Sequence, residues 1–278
     1  MLIPFYKYQG TGNDFVLIDQ RKKQYLTESE TATLKYICDR KFGIGADGLM
    51  FLEKSNKPNV DFEMIYFNAD GRTSSMCGNG GRCIAAFAHR LKEIGNTCVF
   101  NAIDGLHEAK IFGRNKVELK MSEVTDIEIG KDYYLLNTGS PHYVVFVEDL
   151  KDINVVENGR QIRYSERFHE VGVNVNFVEI KKDGSIEVAT YERGVENETL
   201  SCGTGITAAA IAYQCKKSNR AEENNRHVTI NDELSQTVHV ITKGGELSVN
   251  FVQIGEKNFK NIWLCGPATP VFSGKIKI

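Results

Sequence analysis

Cys77 lies in Met76-Cys77-Gly78-Asn79-Gly80-Gly81-Arg82-Cys83, and Cys202 lies in Ser201-Cys202-Gly203-Thr204-Gly205-Ile206-Thr207. Each cysteine opens a glycine-rich turn that runs into an alanine-rich apolar segment. These segments are Ile84-Ala85-Ala86-Phe87-Ala88 and Ala208-Ala209-Ala210-Ile211-Ala212. The pattern predicts that each thiol stands at the start of a helix. Backbone N–H groups are unpaired there, and the positive end of the helix dipole faces outward. Such a position favours thiolate over thiol and attracts an anion such as a carboxylate.

One such site could be an accident of packing, but two suggest a pair of thiols working on one substrate. A thiol protease or acyl transferase needs one cysteine with a base and an orienting group, not a second matching turn. A dithiol oxidoreductase usually keeps its cysteines close in sequence, and these are far apart. Inversion of a carbon acid remains. The proton leaves one face of a carbon and returns to the other, so two fixed acid/bases suffice without moving the substrate. A proton next to a carboxylate is very weakly acidic. Two helix starts aimed at that carboxylate would stabilise the carbanion. This chemistry needs no pyridoxal phosphate and no metal. No Gly-x-Gly-x-x-Gly follows a strand, and no Walker-type loop is present. Gly43-Ile44-Gly45-Ala46-Asp47-Gly48 resembles a dinucleotide turn but reads as lacking a βαβ context.

The 278-residue chain has room for one or two domains. With 34 Lys plus Arg against 36 Asp plus Glu, it has no basic field for nucleic acid or an anionic membrane. The N-terminus lacks the apolar stretch of a signal peptide, and no run is apolar and long enough to span a bilayer. The expectation is a cytoplasmic protein. An odd count of seven cysteines in a chain of this size argues for reduced thiols. No Cys-x-x-Cys pair or Cys/His cluster suggests a metal site. Cys83, Cys98 and Cys215 read as small core residues.

The elements that must position the thiols recur. Gly12-Asn13-Asp14-Phe15-Val16 pairs with Asn174-Val175-Asn176-Phe177-Val178 as an Asn-rich segment ending in Phe-Val. A strand ending in a polar turn follows each, Met64 to Gly71 and Val188 to Gly194. Next come the cysteine turn and its helix, then a hairpin. The hairpins are Glu108 to Met121, turning at Gly113-Arg114-Asn115, and Thr237 to Phe251, turning at Gly244-Gly245. The first half carries an additional helix candidate, Glu28 to Lys41, with Thr27 as N-cap. Strands gathered around one helix per half suggest an α+β fold. The boundary reads near Ser122 to Lys131, and the tail from Cys265 to Ile278 is strand-like.

The chain closely resembles the diaminopimelate epimerase family from end to end. The resemblance rests on Gly10-Thr11-Gly12-Asn13-Asp14-Phe15, Gly43-Ile44-Gly45-Ala46-Asp47-Gly48, Phe67-Asn68-Ala69-Asp70-Gly71, Met76-Cys77-Gly78-Asn79-Gly80, Ser140-Pro141-His142, Tyr191-Glu192-Arg193-Gly194 and Cys202-Gly203-Thr204-Gly205. It implies two similar pseudo-symmetric halves, each a strand-rich unit wrapped around a central helix. These would be residues 1–123, completed by a returning strand at 265–278, and residues 124–264. It implies cofactor-independent conversion of LL-2,6-diaminopimelate to the meso isomer, in lysine and peptidoglycan precursor synthesis. Cys77 and Cys202 would be the catalytic pair. Gly78, Asn79, Gly203 and Thr204 would hold the carboxylate at the reacting centre. Glu192 would sit beside the substrate ammonium and, with His142, tune the thiols. Arg193 would grip the distal carboxylate, assisted by Asn13, Asn68 and Asn174. A homodimer is implied.

The chain departs from the family pattern in three places. Ser140 stands where many members have Asn, Gly48 replaces a Gln of some members, and Gly194 to Thr199 is one residue longer. Competing readings are a racemase of proline racemase type, an isomerase of the phenazine pathway type, and a non-catalytic amino-acid-binding relative. The second would not need two thiols. The third would have lost one.

Overall fold

The computed structural model describes residues 1–74, 76–223 and 235–278. The chain forms two compact units, Met1–Leu119 with Gly266–Ile278, and Lys120–Cys265. The first contains β1 (Leu2–Gly10), β2 (Asn13–Asp19), α1 (Thr31–Cys38), β3 (Gly48–Glu53), β4 (Phe62–Asn68), α2 (Gly78–Arg90), β5 (Thr97–Ala102), β6 (Gly105–Phe112) and β7 (Lys116–Lys120). The second contains β8 (Ile127–Ile129), β9 (Tyr134–Asn137), β10 (Pro141–Val147), α3 (Val155–Arg163), β11 (Asn174–Ile180), β12 (Ile186–Glu192), β13 (Asn197–Thr199), α4 (Gly203–Glu223), β14 (Ser235–Thr242), β15 (Gly245–Gln253) and β16 (Phe259–Pro267). A last strand, β17 (Thr269–Lys277), belongs to the first unit.

The pairing order repeats. In the first unit β17 and β1 are antiparallel, as are β1 and β2; β2 and β3 are parallel, β3 and β4 antiparallel, β4 and β5 parallel. Antiparallel pairs β5–β6 and β6–β7 complete it. The second unit runs β8, β9, β10, β11, β12, β14, β15, β16 with the same senses. The short β13 pairs with β12 as a side branch. β17 thus fills in the first unit the place that β8 fills in the second.

This order corrects the repeat read from sequence. The counterpart of β2 is β10, and β11 matches β3. The Asn13-Asp14-Phe15 and Asn174-Val175-Asn176 segments therefore sit one strand apart in the repeat. A shared Asn and Phe-Val fits any half-buried strand and carries no register. The second unit also has two helices where one was expected, because α3 occupies there the place of α1. The α1 helix is shorter than the expected Glu28 to Lys41. It starts at Thr31 with Glu30 at the N-cap position, and no side-chain cap bond. Thr27 lies in a preceding turn, where its N–H and hydroxyl donate to the Glu30 carboxylate at 2.7 and 3.1 Å. Gly43 to Gly48 does lie in a βαβ unit, β2-α1-β3. It follows the helix, however, so no helix start is available there to bind phosphate.

Burial explains the architecture. In β2 and β3, both faces are apolar and covered. Val16, Ile18, Leu49, Phe51 and Phe67 meet Leu34 and Ile37 of α1. On the opposite face α2 is buried from Gly78 through Ala88. A helix enclosed all round must be slim, which the run of Gly and Ala achieves. In the second unit Val173, Val175, Phe177 and Tyr191 pack with Val155 of α3, while Ile206 through Ala212 of α4 are fully enclosed.

Gly159 sits inside α3, where Ala is ordinarily better by about 1 kcal/mol. A Cβ there would lie 2.4 Å from the Cβ of the fully buried Tyr191. The close contact sets β12 against α3, just before Glu192 and Arg193. Gly159→Ala is therefore expected to destabilise the protein by about 1–3 kcal/mol, measured by urea unfolding. A gain in stability would show that α3 is free to shift.

Candidate functional site

In the first unit Cys77 is the N-cap of α2, with extended backbone (φ −92°, ψ 131°), and its carbonyl accepts from the Gly81 N–H at 2.7 Å. Its Sγ lies 3.5 Å from Asn13 Oδ1. Asn13 Nδ2 donates to Asp47 Oδ2 at 2.8 Å. That bond fixes the amide, so oxygen is the atom that Asn13 turns to the sulfur. Asp47 also accepts the Asp14 N–H at 3.1 Å. Arg40 bridges the Asp14 and Asp47 carboxylates at 2.7 Å each, and Lys7 reaches Asp14 at 2.8 Å. Burial alone would raise the Asp14 carboxyl, but hydrogen bonds from Arg40 and Lys7 outweigh it and hold it well below the usual range.

The start of α2 is braced from beneath. Arg82 is fully buried; its guanidinium donates to the Gly78 carbonyl at 3.2 Å and to Asn79 Oδ1 at 2.9 Å. The Asn79 side chain is thus held inside the unit, leaving its backbone as the part a helix start offers a ligand. Asn68 closes β4 with an exposed side chain.

In the second unit Cys202 is buried and immediately precedes α4, and its carbonyl accepts from the Ile206 N–H at 2.9 Å. Its Sγ lies 3.5 Å from Thr204 Oγ1. His142 Nε2 is 2.9 Å from the same hydroxyl. Burial, and then the Arg193 charge, push the His142 imidazole down to about 3, so it is neutral at ordinary pH. A second cluster surrounds Ser140. Asn174 Nδ2 donates to Ser140 Oγ at 2.9 Å, and Asn174 Oδ1 accepts from the Arg193 N–H at 2.8 Å. Arg193 Nη1 donates to the Val171 carbonyl at 2.7 Å, with Nη2 3.5 Å from Ser140 Oγ. Ser140 is therefore part of the arginine's seat. Glu192 ends β12 directly before Arg193, and its carbonyl accepts from the Glu196 N–H at 2.8 Å.

The fold thus brings Asn13 to Cys77, His142 and Thr204 to Cys202, and Asn174 to Arg193. Several supporting residues escaped the sequence reading: Asp47, Arg40, Arg82, Asn176 and Glu196. Glu196, in the lengthened turn, accepts from the Tyr191 hydroxyl at 2.8 Å and the Gly194 N–H at 3.0 Å. Asn176 had a usable signal, since Asn174 and Asn176 are two apart on a strand and share a face. The other thiols behave as core: burial pushes Cys38, Cys83, Cys98 and Cys215 up to about 12. Among the described residues no group of three or more His, Cys, Asp or Glu side chains is placed to hold a metal.

A neutral buried His142 has a consequence for stability. An unfolded histidine takes up a proton near pH 6.5, whereas folded His142 resists until about 3. Between those values the unfolded chain binds the extra proton, so stability rises with pH and is complete above about 6.5. Wild type should lose about 1.2 kcal/mol between pH 6 and 5 that His142→Gln does not lose. Urea titrations at both pH values check this. Equal slopes would mean that folded His142 accepts a proton.

The diaminopimelate epimerase family model matches residues 5–127 and 134–270. The diaminopimelate epimerase of Flavobacterium psychrophilum is 48% identical over 271 residues, covering 98% of this chain and 99% of that protein. That of Aquifex aeolicus is 38% identical over 288 residues, covering 98% and 97%. Among solved structures, a Bacillus anthracis phenazine biosynthesis protein of the PhzF family superposes with a TM-score of 0.71 at 13% identity, covering all of both chains. A hydroxyproline epimerase from Agrobacterium vitis gives 0.65 at 13%, covering 99% and 92%. These two likenesses are of fold. No helix among the described residues is long and apolar enough to cross a membrane. Match to the family model across both units, together with relatives 48% and 38% identical over nearly their full length, establishes that the chain belongs to the diaminopimelate epimerase family.

Proposed function

We propose that the protein inverts one α-carbon of LL-2,6-diaminopimelate to give the meso isomer, with Cys77 and Cys202 transferring the protons. The observation that carries this reading is a thiol at the start of the enclosed central helix in each of two units of like topology. One thiolate takes the α-proton and becomes a thiol. The other thiol returns a proton to the opposite face and becomes a thiolate. One turnover therefore leaves the two protonation states exchanged, with no net gain or loss of protons. N–H groups at the helix starts stabilise the charge that develops on the α-carboxylate.

Those N–H groups can hold any amino acid, so selectivity needs a second anchor. Arg193 suits a distal carboxylate because a guanidinium offers paired donors. Val171 and Ser140 seat its guanidinium head, and Asn174 holds its backbone N–H. A homodimer in the cytoplasm belongs to the same reading.

The direct experiment is incubation with LL-diaminopimelate in heavy water, followed by NMR. Deuterium at the α-carbon and appearance of the meso isomer are expected, and proline should exchange nothing. Cys77→Ala and Cys202→Ala should each lower turnover at least about 100-fold with the fold retained. Near-normal turnover in either would refute a two-thiol mechanism. Arg193→Met should lower kcat/KM by about one to two orders of magnitude. Should Ser140→Ala cost more than Arg193→Met, the serine would be the main distal anchor.

A further inference from the structure

A buried polar chain runs through the second unit and ends at the Cys202 sulfur. Thr190, Asn176 and His142 are almost wholly enclosed. The Thr190 hydroxyl donates to Asn176 Oδ1 at 2.9 Å. Asn176 Nδ2 lies 3.1 Å from His142 Nδ1 and 3.4 Å from the Tyr143 carbonyl oxygen. A carbonyl oxygen only accepts. The amide nitrogen must therefore be the atom facing both, and the amide cannot be flipped. His142 Nδ1 is then an acceptor, and the ring proton sits on Nε2. That N–H points at Thr204 Oγ1, 2.9 Å away. With its oxygen accepting from His142, the Thr204 hydroxyl turns its own hydrogen elsewhere, and Cys202 Sγ is 3.5 Å away.

Space for the chain is made by Gly205. A Cβ there would lie 2.4 Å from Asn176 Oδ1 and 3.3 Å from His142 Cε1. The helix start and the polar chain can be this close only at a glycine. Arg193 is the charged group whose field reaches His142.

We infer that Asn176 is a positioning residue that holds His142 in the Nε2–H tautomer, so that Thr204 presents a donor to Cys202 and favours its thiolate. Asn176 touches no reacting atom in this scheme. It acts through His142 and Thr204, because the direction of each hydrogen bond fixes the next. The inference deepens the proposed role of Cys202 in proton transfer and, to that extent, rests on it.

Two measurements test it without substrate. The first is ¹⁵N NMR of histidine-labelled protein, with the His142 signal identified by its loss in His142→Gln. A protonated Nε2 and a bare Nδ1 are expected in the unaltered chain; the opposite tautomer, or an even mixture, overturns the inference whether or not any variant folds. The second is the rate at which iodoacetamide labels Cys202 at neutral pH in a Cys77→Ala background, read by peptide mapping. Asn176→Leu and Thr204→Val should each slow labelling about tenfold, the loss of one hydrogen bond to a charged sulfur. A purely structural role predicts the reverse, since loosened packing exposes the thiol and speeds labelling. An unchanged or faster rate in both variants overturns the inference. Neither result depends on epimerisation. Failure of the heavy-water exchange would instead count against the proposed reaction and leave the tautomer and labelling results intact.

Discussion

A helix start enclosed by protein leaves backbone N–H donors that water cannot reach, and the rest of this structure follows from that constraint. In α2 the N-cap is Cys77, whose side chain makes no capping hydrogen bond. A serine or aspartate there would satisfy the donors itself. Cysteine is a poor cap, and in the proposed reaction the backbone donors of this helix start serve the substrate carboxylate. The cost of burying them is borne by the strands closed around the helix. That enclosure demands small residues, which is why Gly78, Gly80 and Gly81 lead into Ala85, Ala86 and Ala88.

Enclosure also dictates the strands. A helix buried on every side needs a sheet that curls around it, and that sheet's outer face must be covered in turn. β2 and β3 bury both faces for this reason, with α1 on the outside, and α3 does the same for the second unit. The parallel pairs β2–β3 and β10–β11 exist because a helical crossover connects each of them. Alternation along β11 then sorts its side chains. Val173, Val175 and Phe177 go under α3. Asn174 and Asn176 face the other way and supply the hydrogen bonds to Ser140 and His142.

Much of this was legible from short-range pattern. The two cysteine turns, the helices behind them, the hairpins at Gly113 and Gly244 and the strand-rich class all follow from local periodicity and turn chemistry. What failed was the part that depends on partners distant in sequence. The two Asn-rich strands look alike but occupy neighbouring places in the repeat, because strand order is set by pairing rather than composition. The α3 helix has a readable start in Asn154, whose side-chain oxygen accepts from the Glu157 N–H while its amide nitrogen donates to the Glu157 carboxylate. Its interior Asn158-Gly159 reads as a turn, and only the proximity of Tyr191 explains the glycine. Arg82 illustrates the same limit. An arginine in a helix reads as surface, yet this one is buried beneath the turn it braces.

The repeat carries the two thiols into equivalent positions but does not give them equivalent partners. Cys77 meets the oxygen of Asn13, an acceptor fixed there because Asp47 has claimed the amide nitrogen. Cys202 meets the hydroxyl of Thr204, which the inferred histidine tautomer leaves free to donate. An acceptor stabilises S–H, whereas a donor stabilises S⁻. A symmetric frame is the economical way to supply two acid/bases, but a symmetric pair would have no preferred resting state. Inverting a carbon requires one group ready to take a proton and one ready to give it. In the proposed reaction the unequal hydrogen bonds on the two sulfurs would supply that difference.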